Sequence, residues 1–225
     1  MKEEIRELIT LFGANICGFA GLDRIDNSPV GFHPKDIFPD CQSVIAFGIA
    51  LPNGLAKVSP RLIYGYYNNL SVTETDRIAL KAAKRLEDDY HCIAVPMPCD
   101  VPYEYWDLDT MEGRGLLSIR HIAVAAGLGT IGKNTLLLNR RFGNRLTLGA
   151  ILTDLKLTSD SLSLSVCIEK CRKCIDSCPV NAIKNGAVNQ KLCRAYTYGK
   201  TERGFDTVNC NRCRTICPVG SSAIQ

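Results

Sequence analysis

The chain has 225 residues, of which 46% are hydrophobic and 22% charged, as expected for a soluble globular protein with one domain and a small appendage. Its N-terminus mixes acidic and basic side chains, and the sequence has no uninterrupted run of 18 apolar residues, so we predict a cytoplasmic protein without membrane contact. The net charge of +4 is small and dispersed, apart from a loose group at Arg140, Arg141 and Arg145, and this argues against a nucleic-acid-binding stripe.

The first two thirds of the chain alternate between helical and strand patterns. Residues 2–14 place Ile5, Leu8, Ile9 and Leu11 on one face of a predicted surface helix. The remaining patterns predict an α/β (α+β) domain over residues 1–157. In chain order they are strands at 16–22 and 43–51, a helix at 73–90 with Thr73 as its N-cap, an edge strand at 91–98, a loop at 99–114, a helix at 117–126, and strands at 135–138 and 146–152.

A glycine-rich segment, GLGTIGKNT at residues 127–135, follows the last predicted helix. It matches Gly-x-Gly-x-x-Gly and nearly matches a phosphate loop, but Asn134 stands where that loop needs a hydroxyl. The segment also follows a helix and precedes a strand, the reverse of a dinucleotide-binding unit. We therefore predict close backbone approach to a bulky ligand, with Lys133 and Asn134 as donors, and keep a ligand-free turn as the alternative.

The last part of the chain, residues 158–225, is rich in cysteine. Eight of the twelve cysteines lie from Cys167 onward, after a polar connector at 158–165, and hydrophobic periodicity is weak there. In a chain without an export signal such spacing indicates metal binding rather than disulfides. We expect bound metal to supply the folding energy that a small core cannot.

An internal repeat organises these cysteines. The run Cys171-x2-Cys174-x3-Cys178-Pro recurs 39 residues further on. In two-cluster bacterial ferredoxins the cysteine before proline ligates the other cluster, so the repeat predicts two [4Fe-4S] clusters that exchange one ligand each. A pair of zinc sites is the alternative, since Cys-x2-Cys also binds zinc. The predicted ligands are Cys167, Cys171, Cys174 and Cys217 for the first cluster, and Cys178, Cys193, Cys210 and Cys213 for the second.

Three segments carry a family resemblance: AGLGTIGKNT at 126–135, LGAILTDL at 148–155, and the cysteine module. Together they resemble epoxyqueuosine reductase, with the reductive dehalogenases as more distant relatives. The resemblance implies a cobalamin in a domain similar to flavin nitroreductases, followed by a ferredoxin-like module with two [4Fe-4S] clusters. The residues it assigns to cobalamin binding are Gly127, Gly129, Thr130, Gly132, Lys133, Asn134 and Thr135.

The sequence departs from that family in three places. Thr130 stands where the family usually has Trp, and the chain stops eight residues after Cys217, where members that act on tRNA continue into a helical-repeat domain. Gly113 stands where an ungapped alignment puts the catalytic Asp. Asp100 takes that role if residues 103–114 are an insertion, and a buried, protonated Asp100 could donate a proton beside a reduced corrin. The alternative for Asp100, which precedes Val101-Pro102, is a turn former.

Three functions follow from these features. The first is a reductase that passes electrons from an external donor, such as ferredoxin or flavodoxin, through two clusters to a corrinoid acting on a small molecule. The second is a non-catalytic electron carrier that reduces a partner protein, and the third is a flavin-dependent iron–sulfur reductase. The dispersed charge and the missing extension make tRNA an unexpected partner.

Overall fold

A four-stranded antiparallel sheet forms the centre of the computed structural model, which describes residues 1–184 and 186–220. The strands in these residues are β1 (Ile16–Gly21), β2 (Ser43–Ala50), β3 (Ala94–Met97), β4 (Tyr105–Asp107), β5 (Glu112–Arg114), β6 (Thr130–Ile131), β7 (Leu137–Leu138), β8 (Leu146–Thr153), β9 (Ile183–Lys184), β10 (Ala187–Val188), β11 (Tyr198–Lys200) and β12 (Asp206–Val208). The helices are α1 (Lys2–Leu11), α2 (Pro34–Ile37), α3 (Gly65–Tyr90), α4 (Ile119–Ala125), α5 (Lys173–Asp176), α6 (Gln190–Thr197) and α7 (Arg212–Thr215).

The order of strands in the main sheet is β1-β2-β8-β3, and every neighbouring pair is antiparallel. Strands β2 and β8 pair over their full length, from Ser43 opposite Thr153 to Ala50 opposite Leu146. Both are covered on two faces, which explains why their sequences are nearly continuous apolar runs rather than alternating ones. The smaller ladders, β4–β5, β6–β7, β9–β10 and β11–β12, are two-stranded.

Helices cover both faces of this sheet. On one face α1 and α3 bury Ile5 and Ile9 against Phe47 and other sheet residues. On the other, α4 buries Ile122 among side chains that include Val44. Alternate residues of β2 thus serve opposite cores, and the prediction of a mixed α/β fold is confirmed.

Two sequence predictions about helices are wrong. Leu11 is 82% exposed because it lies off the stripe made by Ile5 and Ile9. Thr73 is not an N-cap: α3 begins at Gly65, and the Thr73 hydroxyl donates to the Asn69 carbonyl inside the helix at 3.4 Å. The first turns of α3 have no apolar stripe by which the sequence would predict a helix. Gly65 packs directly against the backbone of Val208, a contact that the local sequence does not reveal.

Two other segments correct the strand and loop predictions. β3 is an edge strand, as Pro96 predicts, but it begins at Ala94 rather than at residue 91. The segment 99–114, predicted to be a loop, contains the hairpin β4–β5. Its strands are three residues long and all of β4 is exposed, so no alternation of buried and exposed residues marks them in the sequence.

The cysteine-rich part folds with little apolar burial. Helices α5 and α7 occupy equivalent positions in the two cysteine runs, 39 residues apart, and contact each other. Among the described residues beyond 157, three apolar side chains are buried: Ala182, Ile183 and Val208. Val208 joins Leu51 and other residues of the α/β part. The domain boundary at 157/158 remains a prediction, and Asn185 and residues 221–225 lie outside the described residues.

None of the helices in the described residues is long and apolar enough to cross a bilayer.

Candidate metal centre

Four cysteines from both runs line one pocket. Cys167, Cys171 and Cys174 come from the first run and the residues just before it, whereas Cys217 comes from the end of the second run. All four are partly buried and none is in a disulfide. These are the four side chains that the repeat assigns to the first cluster, and we name them the first cysteine group.

The thiols of the first cysteine group are electrostatic neighbours. Burial raises the pKa of Cys217, and the thiols of Cys174, Cys167 and Cys171 raise it further. Burial likewise raises the pKa of Cys174, with Cys167 and Cys171 as additional causes. Four crowded, half-buried thiols are costly to ionise unless a cation compensates their charge, as a bound metal would.

Three more predicted ligands lie together in what we name the second cysteine group. Burial raises the pKa of Cys213 to about 11, and the thiols of Cys193 and Cys210 add to the effect. Cys174 also acts on Cys213, so the two groups are adjacent. The fourth predicted member, Cys178, accepts a hydrogen bond at its Sγ from the Ala182 amide at 3.3 Å. Its place in the second group remains a prediction.

The described residues contain no set of three or more His, Cys, Asp or Glu side chains close enough together to hold a single metal ion. A tetrahedral zinc site would need four ligands within about 2.0–2.3 Å of one ion. In a cubane each thiolate binds a different iron, so its four thiolates stand further apart. Four cysteine thiols around one pocket are a donor set that either a four-iron cluster or zinc can use.

Two polar side chains of the glycine loop, residues 127–135, reach the cysteine runs. Lys133 Nζ donates to the Cys171 carbonyl at 2.9 Å and also contacts the carbonyls of Ile168 and Glu169. Asn134 Nδ2 donates to the Cys213 carbonyl at 3.1 Å. The expectation that these two side chains serve a bulky ligand remains a prediction, and in this structure their donors bind the protein's own backbone.

The glycines of the loop also have internal explanations. A Cβ at Gly129 would collide with the Leu138 carbonyl, and one at Gly127, where φ is +75°, would collide with the Ser161 carbonyl. These positions require glycine for packing of the chain on itself, so they are not evidence of a ligand. The Thr130 hydroxyl is buried and has no hydrogen-bond partner among the described residues. It is the one feature of the loop that a bound cofactor would still explain.

Asp100 lies on the surface beside an aromatic group. Its carboxylate accepts a hydrogen bond from the Tyr103 hydroxyl at 3.1 Å, and the side chain is exposed. The burial assumed for a proton-donating Asp100 is absent, so its catalytic role remains a prediction without that support. The peptide bond between Val101 and Pro102 is cis.

Sequence reasoning missed Arg194, which links the β4–β5 hairpin to α6. Its guanidinium lies over the rings of Tyr103 and Trp106, at 5.2 and 5.1 Å from their centroids, and donates to the Tyr103 hydroxyl at 3.2 Å. It sits one residue after Cys193, on the helix that carries this predicted ligand. No motif distinguishes Arg194 in the sequence, because its partners lie about ninety residues earlier.

No protein-family model matches the chain. Among curated proteins, the epoxyqueuosine reductase of Staphylococcus aureus is 28% identical in an alignment of 234 positions that covers 96% of this chain and 57% of that protein. The resemblance to epoxyqueuosine reductases is confirmed. The epoxyqueuosine reductase-like chain spans little more than half the length of that relative.

Solved structures share the fold. An epoxyqueuosine reductase bound to an epoxyqueuosine-modified tRNA-Tyr stem loop superposes with a TM-score of 0.69 at 20% identity, covering 97% of this chain and 65% of that one. A reductive dehalogenase whose structure suggests a mechanism for B12-dependent dehalogenation gives a TM-score of 0.68 at 18% identity, covering 97% of this chain and 32% of that one. The likeness thus extends over nearly all of the chain, including its cysteine-rich part.

Proposed function

We propose that this chain is an iron–sulfur reductase that carries electrons through two [4Fe-4S] clusters. One observation carries the proposal: Cys217, from the second cysteine run, lies with Cys167, Cys171 and Cys174 around a single pocket. A crossed ligand of this kind is typical of two-cluster ferredoxins, in which the cysteine before proline leaves its own run. Zinc ribbons need no such exchange, since each site is completed by its own pairs.

The scarcity of apolar burial beyond residue 157 supports the same proposal. Few buried side chains hold this part of the described chain together. Binding of the clusters would supply the missing folding energy and would offset the repulsion among the half-buried thiolates. Two adjacent clusters would also give electrons a path from an external donor, such as ferredoxin or flavodoxin, toward the α/β part.

A corrinoid is the electron acceptor in this proposal, and an unidentified small molecule is the substrate. The support comes from the B12-dependent dehalogenase of the same fold. A bound corrinoid would supply a strongly reducing centre for the substrate. Of the contact residues predicted in the glycine loop, Lys133 and Asn134 are engaged with the cysteine runs. We therefore do not assign these two to corrinoid chemistry, whereas the unpartnered Thr130 hydroxyl remains a candidate contact.

The same engagement favours a second candidate function, a non-catalytic electron carrier that reduces a partner protein. In that case the glycine loop would serve only to attach the cluster module to the α/β part. The two candidates differ in one measurable property, the presence of a second cofactor. Absorbance of the anaerobically purified and cobalamin-reconstituted protein, after desalting, separates them: a corrin band supports the reductase, and clusters alone support the carrier. A flavin band would instead support a flavin-dependent reductase.

Ligand exchange is tested by cysteine variants. Wild-type protein is expected to bind about eight irons and eight sulfides, because two four-iron clusters contain that number. Cys178→Ala should abolish the paramagnetic resonance signal of the second cluster although Cys178 belongs to the first run, whereas Cys174→Ala should abolish that of the first. Cys92→Ala, outside both groups, serves as the control and should retain both signals. If Cys178→Ala and Cys174→Ala remove the same signal, the exchange is wrong, and one tightly bound zinc per group would overturn the cluster proposal.

A further inference from the structure

Two consecutive residues of the glycine loop reach different cysteine runs. Lys133 extends to the first run, where Nζ lies 2.9 Å from the Cys171 carbonyl and 3.3 Å from the Ile168 carbonyl. It also contacts the Glu169 carbonyl, so three backbone oxygens surround the ammonium group. An ammonium has three donors, and here each of them meets a separate acceptor.

Asn134 extends to the second run. Its side chain is buried, with 4% exposure, and Nδ2 donates to the Cys213 carbonyl at 3.1 Å. The same carbonyl accepts a second bond, from Asn144 Nδ2, also at 3.1 Å. Arg214, the residue after Cys213, donates back to the Asn144 carbonyl at 3.2 Å. A backbone oxygen with two lone pairs is thus saturated by two buried amides, which fixes the position of Cys213.

The positive charge of Lys133 also lies near the first cysteine group. It lines the same pocket as the four thiols of the first cysteine group. Addition of an electron to a cluster there increases the negative charge of the pocket, and a nearby cation favours that change. Lys170 lies close by, on the outer surface, and has no hydrogen-bond or ion-pair partner within the described chain. Lys170 therefore carries the same charge as Lys133 but lacks its hydrogen bonds to the cysteine run.

We infer that Lys133 and Asn134 are positioning residues that hold the two cysteine runs in register with each other and with the α/β part, and that Lys133 raises the reduction potential of the first cluster. This role presupposes the clusters of the proposed function. It replaces the role that the sequence suggested for the same two residues, direct contact with a bulky cofactor. Each residue is expected to act selectively: Lys133 on the first cluster and Asn134 on the second.

The test of Lys133 is potentiometric titration of both clusters, followed by paramagnetic resonance, in Lys133→Met, Lys133→Arg and Lys170→Met. Lys133→Met should shift the first cluster to a lower potential and leave the second unchanged. Lys133→Arg should recover most of the wild-type value because it keeps the charge. Lys170→Met is the matched control, and its shift should be clearly smaller. Equal shifts in Lys133→Met and Lys170→Met, or equal shifts of both clusters, would overturn the role of Lys133.

The test of Asn134 is the rate at which an iron chelator removes each cluster. Asn134→Asp keeps the shape and the Oδ1 acceptor but turns a carboxylate oxygen toward the Cys213 carbonyl. It should accelerate loss of the second cluster several-fold relative to the first. Asn69→Asp, which adds the same charge at an exposed site of α3, should leave both rates unchanged. Uniform loss of both clusters at the wild-type rate would show that Asn134 positions nothing.

Failure of the two proposals can be told apart. Wild-type protein without clusters would contradict the proposed function itself. Wild-type protein with two clusters, whose potentials and release rates do not respond to residues 133 and 134, would contradict only the positioning role. A variant that fails to fold is replaced by Lys133→Gln, which removes the same positive charge but keeps a polar donor, or by Asn134→Ser, which shortens the donor and adds no charge.

Discussion

The two parts of this chain reach a folded state by different means. Residues 1–157 form a sheet with an apolar core on each face, in which Phe19, Phe47 and Ile151 are fully buried. In the described residues beyond 157 few apolar side chains are buried, yet seven of the eight cysteines lie in two adjacent groups. Hydrophobic burial explains the first part. The second requires another source of free energy, for which metal binding is the proposal.

Removal of the metal should produce the largest difference in stability between the two parts. Anaerobic chelation is expected to unfold residues 167–217, because cluster binding would contribute on the order of 10 kcal/mol, as in other small metal-bound modules. Backbone amides of β2 and β8 should stay protected from hydrogen exchange. Re-addition of iron and sulfide should restore protection in the cysteine runs. If the cysteine runs kept full protection from hydrogen exchange without metal, the two parts would not differ in their source of stability.

Truncation of the core should produce the opposite pattern. Phe47→Ala removes a fully buried ring from β2, next to Gly149, and should lower the free energy of unfolding of the α/β part by about 3–5 kcal/mol. Urea unfolding followed by far-ultraviolet circular dichroism measures this loss. The iron content of the folded protein should not change. Leu164→Ala, at a side chain that is 88% exposed, is the control and should alter neither quantity.

The junction between the parts has its own charge cluster. Asp160, in the connector, accepts hydrogen bonds from Lys2 Nζ at 2.7 Å, Arg6 Nη2 at 3.0 Å and the Phe19 amide at 3.2 Å. Burial alone would raise the pKa of Asp160, but the bonds from Lys2 and Arg6 outweigh it and lower the pKa. The stabilisation is therefore present above the ordinary aspartate pKa of about 3.9 and is lost as pH falls through the lower folded-state value.

Asp160→Asn should accordingly reduce stability at pH 7 by about 1–2 kcal/mol, the range for charged hydrogen bonds at a partly exposed site. The difference from wild type should shrink toward pH 3. Thermal unfolding between pH 3 and 7 measures both effects. Asp176→Asn breaks the exposed pair with Arg172 and should change stability little at any pH. A loss that does not depend on pH would show that shape rather than charge matters at residue 160.

The smallest expected effect concerns tRNA. The net charge of +4 is too small to neutralise many phosphates, although the positive excess falls in residues 158–225, where ten basic residues stand against five acidic ones. The purified chain is therefore expected to bind tRNA no better than a neutral protein of its size, although an epoxyqueuosine reductase of the same fold was solved with a tRNA stem loop. Filter binding between 50 and 200 mM salt measures this. Micromolar affinity that falls steeply with salt would contradict it.

Most of the main sheet could be predicted from the sequence. The runs at 16–22, 43–51 and 146–152 match β1, β2 and β8 to within one residue at each end, because strands buried on both faces are continuous apolar stretches. The repeat in the sequence also corresponds to the two equivalent helices α5 and α7, which were not themselves predicted. The start of α3 and the β4–β5 hairpin were not predictable in this way, since each depends on contacts with distant residues such as Val208 and Arg194.

The grouping of four of the cysteines could be predicted from the sequence, but the contacts of the neighbouring glycine loop could not. Spacing alone suggested that Cys217 joins Cys174, and the two line one pocket. For the glycine loop the sequence indicated a ligand, whereas Gly129 packs against Leu138 and Lys133 binds the first cysteine run. Glycine and lysine look the same in a sequence whether they face a cofactor or another part of the chain. Only the tertiary partners distinguish the two cases.

The position of Cys217 has a consequence for biosynthesis. Because the ribosome makes the chain from its N-terminus, Cys167, Cys171 and Cys174 emerge long before the fourth thiol of their group. On the proposed ligand set, the first cluster therefore cannot be closed during translation until the whole second run has been made. A ribosome-stalled chain that ends before residue 217 would hold an incomplete site with three thiols, exposed to oxidation and to wrong metals. Cluster insertion should thus be a late event, which follows the folding of the sheet.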